Sequence, residues 1–525
     1  MTTQSLSGWA VAPTTRARSA VRGRAVPAIT VGLAGTAVAL AGASSPSYWG
    51  DEAASVMSAE RSIPALFAML GNVDAVHGLY YLFLHFWIGV FGTSELATRA
   101  PSAIAVGVAA AGVLTLMRRF TSLRVAVLAS VVFLLLPRIA YAGIEARSYA
   151  MGAAVAVWLT VWFARLVASR RARMLEWIGF GAAVGASAYL FLYLLLLAPV
   201  YAIVLLITPG LRQRVRGGLL AGTAAVLVAA PMVLAAVGQR GQVSFLARRD
   251  YANAYSVLVD QWFGWVPLAV AAWLLIIVGV IAAKRLSPNR RQGVVLLVVW
   301  LVLPTAALLI GNALLAPMYN IRYLTFCAPA AAMLVAVGAA AVPGVIERMR
   351  SARAARRSVR GLPTSTRRLR ASTLTLEIVA VVAILALPVC IAERGPFAKD
   401  DGSDLRQAAT AVDHIAQTGD AIVFDSATRP SQRPRLALRL YPQDFAGTVD
   451  VGLRVPYTQR AELWDTVAPV SALAPELSSF RRVIAVELRG SASVDLAALE
   501  AQGFVVEAVH HVHRTDIYTL TREIA

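Results

Sequence analysis

Apolar runs long enough to matter to a membrane recur along most of this chain. The first extends from Val26 to Ala43, and further candidates fall at 97–117, 123–137, 148–168, 175–189, 191–207, 217–237, 262–283, 293–314, 323–342 and 373–392. A helix needs roughly 20 mainly apolar residues to cross a bilayer, so the pattern predicts a polytopic α-helical membrane protein. The run at 78–92 is too short for an upright crossing and reads as interfacial. The segment 46–96 reads as two amphipathic interfacial helices with a short descending piece. After about residue 395 the pattern changes. Ala421-Ile422-Val423-Phe424, Val483-Ile484-Ala485-Val486 and Phe504 to Val512 read as strands, separated by helical patterns at 404–417 and 494–501. They predict a C-terminal α/β domain of roughly 130 residues.

Composition agrees with a membrane protein. The 525 residues are 58% hydrophobic and only 15% charged, and the mean hydropathy is +0.64. The net charge of +20 is carried almost wholly by arginine, Lys284 and Lys399 being the only lysines. The basic clusters sit between apolar runs rather than in a nucleic-acid-binding patch: Arg118/Arg119/Arg124, Arg170/Arg171/Arg173, Arg212/Arg214/Arg216, Lys284/Arg285/Arg290/Arg291, and Arg348 to Arg370. Basic loops stay cytoplasmic. With 78–92 not crossing, every cluster falls on one side, which predicts about eleven crossings, N-terminus in and C-terminus out. Arg16, Arg18, Arg22 and Arg24 before an apolar run resemble a signal peptide, but the run is longer than a signal h-region and reads as a retained first span.

The expected organisation is a cytoplasmic tail over 1–25, a transmembrane catalytic domain over 26–394 with a basic cytoplasmic loop at 345–372, and an extracytoplasmic α/β domain over 395–525. Cys327 and Cys390 lie in or near spans, so no disulfide or zinc framework is expected. His510, His511 and His513 lie along a strand, and a zinc site would need further ligands at suitable spacing. The Ala- and Arg-rich, Lys-poor usage suggests a high-GC bacterium.

The predicted outer segments 46–96, 138–147, 238–261 and 315–322 collect unusual polar residues. Trp49-Gly50-Asp51-Glu52 places two carboxylates at the exit of the first span; Asp74, His77, Tyr80 and Tyr81 follow. Glu145-Ala146-Arg147-Ser148-Tyr149 ends another turn, Gln239 to Gln242 and Arg248-Arg249 lie in a third, and Tyr319-Asn320-Ile321-Arg322-Tyr323 heads a late span. Solvated loop acids and snorkelling arginines are the competing, purely structural reading. The combination nonetheless has a chemical logic. A lipid-linked phosphosugar keeps its tail in the bilayer and its phosphate at the surface. Arginine offers a planar fork for that phosphate. A carboxylate can take the proton of an attacking hydroxyl. With no Gly-rich phosphate loop, a soluble nucleotide donor is not expected.

These residues resemble a family. Trp49 through Ala53, Asp74-Ala75-Val76-His77-Gly78-Leu79-Tyr80-Tyr81, Gly92 through Glu95, Arg99-Ala100-Pro101-Ser102, Glu145 through Tyr149 and Arg322-Tyr323-Leu324 together resemble the GT-C superfamily, most of all its protein-mannosyltransferase-like (family 39) members. The resemblance covers roughly residues 26–342. The family's His-Pro-Pro is His77-Gly78 here, which leaves the local turn and the role of His77 open.

The resemblance implies an inverting glycosyltransferase with a polyprenyl-phosphate sugar donor. Asp51 matches the catalytic acid of the first loop, and Glu52 beside it is the second expected acid. Arg147 and Arg322 match positions near the donor phosphate. Asp74, His77, Tyr81, Tyr149, Gln242 and Tyr323 are the expected substrate-binding residues. Decaprenyl-phosphate mannose is the first donor, arabinose the competing sugar, and a cell-envelope glycan, glycolipid or protein the acceptor. No cofactor is expected to be required: Mg²⁺ or Mn²⁺ could bind the Asp51-Glu52 pair, but one pair is too few for a dedicated site. A lipid-carrier flippase or transporter is the rival class, although no internal repeat of the transporter kind is seen.

Overall fold

The computed structural model describes residues 15–169, 172–248, 251–355 and 364–523. Arg170, Arg171 and Arg249, and parts of the expected 1–25 tail and 345–372 loop, lie outside them.

The helices run α1 (Thr15–Leu40), α2 (Gly50–Ala59), α3 (Ile63–Asn72), α4 (Gly78–Phe91), α5 (Glu95–Met117), α6 (Leu123–Leu135), α7 (Pro137–Gly143), α8 (Tyr149–Ala168), α9 (Met174–Ser187), α10 (Leu197–Ile207), α11 (Val215–Gly238), α12 (Val266–Ala283), α13 (Pro288–Leu314), α14 (Ala328–Ala355) and α15 (Thr364–Ala392). Among the described residues, seven helical segments are long and apolar enough to cross a membrane, and an eighth arises if α6 and α7, bent by 67° at Leu136, count as one span. By length and composition, the described residues do not confirm the expected eleven crossings. The run expected from Val26 lies in α1, whose apolar part is Ala25–Leu40, the run at 175–189 is the 14-residue α9, and the run at 191–207 begins with a 3₁₀ segment at Leu192–Leu196 before α10. Proline at Pro137 forces the α6–α7 break, since its ring cannot continue the preceding turn.

Lipid-facing surface is easily located. Leu219, Val226, Leu227 and Leu234 on α11, and Val270, Leu274, Ile277 and Ile281 on α12, are exposed in continuous apolar stripes. Apolar faces of that extent suit hydrocarbon, and each helix satisfies its own backbone there. The chain is a multi-pass membrane protein. Its small residues let helices approach closely: a side chain at Gly338 of α14 would collide with the Leu275 carbonyl of α12.

The α/β domain follows α15. A helix α16 (Leu405–Ile415) precedes strands β1 (Ala421–Phe424), β2 (Val449–Asp450), β3 (Leu453–Val455), β4 (Thr466–Val467), β5 (Arg482–Leu488), β6 (Val505–His511) and β7 (Thr515–Thr521). The main sheet has order β2-β1-β5-β7-β6, with β1 parallel to β2 and β5, and β7 antiparallel to β5 and β6. The expected strands and helices are all present. Strand β7 was not foreseen: its Thr and Asp residues hide it from an aliphatic pattern, although it is the buried neighbour of β5.

One helix belongs to both parts. Ala53, Val56 and Met57 of α2, with Tyr48 before it, pack into a single core with Leu405, Val412, Ile422, Phe424, Leu436, Ile484 and Ile517 of the α/β domain. Polar contacts reinforce this seam: Arg61 donates to the carbonyls of Arg460 (2.7 Å) and Glu462 (2.7 Å), and Tyr457 donates to Glu60 (2.6 Å). Glu95 at the start of α5 takes the hydroxyl of Tyr441 and the guanidinium of Arg406, each at 2.6 Å.

Candidate active site

The site lies at the end of the helical bundle that meets the α/β domain. Asp51 stands in the first turn of α2, where the partial positive charge of the helix N-terminus favours a carboxylate. Its side chain remains 29% exposed, so it is accessible from outside the protein. Arg322 reaches it from a 3₁₀ turn, Ile321–Cys327, whose start is capped by Asn320 accepting from the Arg322 N–H (3.0 Å). Its Nη1 donates to Asp51 Oδ2 at 2.8 Å and lies 3.6 Å from Glu145 Oε1. The guanidinium also lies over the Trp49 ring, 4.7 Å from its centre, and 6.0 Å from that of Tyr149.

Arg147 approaches the same carboxylate oxygen from the α7–α8 link, 3.9 Å away. The link is held by Ser102, whose hydroxyl donates to the carbonyls of Glu145 (2.6 Å) and Arg147 (3.2 Å). Arg147 donates to Tyr81 Oη (3.1 Å) and Ser55 Oγ (3.4 Å), and its Nη2 lies 3.3 Å from His77 Nε2. Burial first, and then Arg147, hold His77 well below the usual histidine range. It is therefore neutral near pH 7, with Nε2 accepting from the guanidinium. Tyr81 in turn donates to Asp74 Oδ2 (2.8 Å). Burial raises the Asp74 carboxyl, partly offset by Arg147 and by that hydrogen bond.

Asp74 has φ +58°, a left-handed backbone that a non-glycine residue holds only with support. The support comes from the segment after α11: Gln242 Oε1 accepts from Asp74 N–H (3.0 Å) and Gln239 Oε1 from Ala75 N–H (2.9 Å). Gln242 thus shapes the Asp74 turn through the backbone. Tyr149 and Tyr323 form an aromatic wall with Phe191 and Tyr193, the Tyr193–Tyr323 pair stacking at 5.1 Å.

Glu52 departs from the sequence expectation of a second catalytic acid. Its side chain is fully buried, and Arg99 engages both oxygens, Nε to Oε1 at 2.7 Å and Nη2 to Oε2 at 2.6 Å. Ala146 N–H donates to Oε1 at 2.8 Å. Arg99 also donates to the carbonyls of Ala43 and Pro46. Glu52 therefore ties α2 to α5 and to the Arg147 link and positions the site without reaching the surface. Asp51 and Glu52 consequently do not present their oxygens together as a divalent-ion site. Among the described residues, no group of three His, Cys, Asp or Glu is arranged to hold a metal. His511 pairs with Asp516 (2.8 Å) and His513 stacks on Phe397.

The sequence alone assigned no site role to Arg99, Gln239, Glu145 or Lys399. Arg99 and Glu145 stood within the resembling motifs, and Lys399 was marked only by the scarcity of lysine.

No protein-family model matches the chain, and no curated protein matches it in sequence. Solved structures do. The crystal structure of ArnT from Cupriavidus metallidurans bound to undecaprenyl phosphate aligns over 95% of this chain and 98% of its own, with a TM-score of 0.55 and 15% identity. The same protein in the apo state gives 0.54 over the same shares, also at 15% identity. The fold of this chain is accordingly of the GT-C type: a polytopic helical membrane domain with a C-terminal α/β domain.

Proposed function

We propose that this protein is an inverting glycosyltransferase that moves a sugar, with mannose as first choice, from a polyprenyl phosphate to a cell-envelope glycan, glycolipid or protein. The observation that carries this reading is a partly exposed carboxylate, Asp51, set between two arginines that converge from distant parts of the chain. Likeness to a fold crystallised with undecaprenyl phosphate supports it. The basic clusters after α5 and α12 and before α11 and α13 lie at helix ends opposite to this site. By the positive-inside rule the site and the α/β domain then face outward.

In this reaction an acceptor hydroxyl gives its proton to Asp51, and its oxygen attacks the anomeric carbon from the face opposite the phosphate. The bond from that carbon to the phosphate oxygen breaks, and the phosphate leaves with the electron pair. Arg322 and Arg147 stabilise the charge that develops there. Tyr149 and Tyr323 border the sugar, while Asp74, His77 and Tyr81 hold Arg147 in place. The arginines supply the cationic charge, so a divalent ion is not strictly needed.

The test incubates purified protein with polyprenyl-phosphate mannose and, separately, with polyprenyl-phosphate arabinose, each with and without EDTA. Product from mannose that survives chelation is expected. Transfer from arabinose alone would overturn the sugar, and loss on chelation rescued by Mn²⁺ would overturn the metal independence. No transfer from either donor, with lipid carrier moved between leaflets of a vesicle, would favour the transporter class.

A further inference from the structure

The turn after α15 brings an unexpected group into the site. Asp400, Asp401 and Gly402 have successive φ values of +43°, +55° and +99°. Two of these are non-glycine residues in a region that persists only when the surroundings over-determine it. The α/β domain supplies that constraint. Arg514, between β6 and β7, donates to the Asp400 carbonyl (2.8 Å) and lies 3.8 Å from its carboxylate. The N–H groups of Gly402 and Ser403 close on the Lys399 carbonyl at 3.1 and 2.7 Å.

The result is that Lys399 points inward and is fully buried. Its ammonium stands 3.4 Å from the centre of the Tyr141 ring and donates to the Tyr141 carbonyl at 3.5 Å. An ammonium carries three donors, so this one is under-used. Nearby, Glu145 is 1% exposed, and neither carboxylate oxygen has a hydrogen-bond partner among the described residues. Its contact is the 3.6 Å approach of Arg322 Nη1, the atom that also serves Asp51. Lys399 is the strongest cationic influence on Glu145, and Glu145 the strongest anionic influence on Lys399.

We propose that Lys399 is a positioning residue of the active site: it balances Glu145, so that Arg322 can be released from the two carboxylates to a lipid-borne phosphate. A buried carboxylate left without a counter-charge is costly. Without Lys399, Glu145 would depend on Arg322 alone and compete with the phosphate for it. The α/β domain would then reach the chemistry through the turn it pins. This inference rests on the reading of the site as phosphate-binding, and the test separates the two.

Lys399 touches Tyr141 on α7, and the charged groups close enough to influence it are Glu145 in the α7–α8 link, Glu52 on α2, Arg99 on α5 and Glu393 after α15. Burial is the main influence and lowers Lys399 to about 8, partly offset by Glu145. Its charge is present below that value and is lost as pH rises through it. A phosphate monoester loses its second proton near pH 6, so a polyprenyl phosphate keeps a constant charge above about pH 7.

The experiment measures the Kd of polyprenyl phosphate itself, without transfer, between about pH 7 and about pH 9.5. Wild type should bind about tenfold more weakly at the alkaline end. Lys399→Met should be about that weak throughout, and Lys399→Arg, which keeps its charge, should remove the alkaline weakening. Wild-type affinity at neutral pH in Lys399→Met, or an unchanged alkaline step in Lys399→Arg, would overturn the inference. If Lys399→Met does not fold, the Lys399→Arg profile decides alone. If wild type binds no polyprenyl phosphate, the functional reading fails, and lysine-selective ¹⁵N NMR then decides the pairing. With two lysines in the chain, Lys284→Arg leaves the Lys399 Nζ signal by itself. A shift of that signal in Glu145→Gln supports the pairing, and none refutes it.

Discussion

Arg322 and Asp51 stand 271 positions apart in the chain and meet through a 2.8 Å contact between Nη1 and Oδ2. The pair makes the basicity of Asp51 depend on what Arg322 is doing. Burial alone would raise the Asp51 carboxyl, but Arg322 and Arg147 beside it hold it below the ordinary aspartate value. On the proposed function, a phosphate that draws Arg322 away would remove part of this hold and make Asp51 a stronger base.

The pH dependence follows from that sign. The acid limb of kcat/KM reports the free enzyme and should lie below the range of an ordinary aspartate, about 3.9. The acid limb of kcat reports the loaded enzyme and should lie higher. In Arg322→Ala the kcat/KM limb should move up, and donor affinity should fall about tenfold or more. Coincident limbs in the wild type would count against the coupling.

Removing the carboxylate charge separates chemistry from binding. Asp51→Asn is nearly isosteric and should reduce kcat by about 10²–10⁴-fold, the usual worth of a general base. Polyprenyl phosphate should bind at least as tightly as before, because Arg322 no longer has a competing anion. Parallel measurements of kcat and Kd test both halves, and full turnover in this variant would end the assignment.

The neighbouring acid should behave differently. Glu52 and Arg99 are both wholly buried and doubly bonded, so breaking the pair leaves an uncompensated charge. Arg99→Met should destabilise the protein by about 3–5 kcal/mol, with Arg99→Met/Glu52→Met less damaging than the single change. Thermal unfolding of the detergent-solubilised protein checks this. A double variant as unstable as the sum of its singles would reject the pairing.

The α/β domain should control the placement of Asp51. A side chain at Gly50 would run into the Ser431 carbonyl of that domain. Gly50→Ala must therefore displace the first turn of α2 and Asp51 with it, and misplacement of about 1 Å can lower a rate about 10²-fold. The expected outcome is a large drop in kcat in a protein that still binds polyprenyl phosphate. Removing 396–525 altogether should instead prevent stable folding, since it uncovers Val56 and Met57 of α2.

The sequence by itself determined the multi-pass helical character, the change to an α/β domain, and the choice of Asp51, Arg147 and Arg322 as candidate residues, which the fold brings together. Those features are written in run length, strand pattern, the distribution of arginine and a short family-like motif, all of which are local. Tertiary structure decided which of the candidate polar groups act together. Adjacent residues on a helix point about 100° apart, so Asp51 turns outward to Arg322 while Glu52, one position on, turns inward to Arg99. Nothing in the order of residues distinguishes the two. The same holds for Lys399, which reads as a loop lysine until a left-handed turn, pinned from the far end of the chain by Arg514, buries it against Tyr141. Such pairings depend on contacts between segments 47 residues apart for Glu52 and Arg99 and 114 apart for Asp400 and Arg514, and no local pattern encodes them.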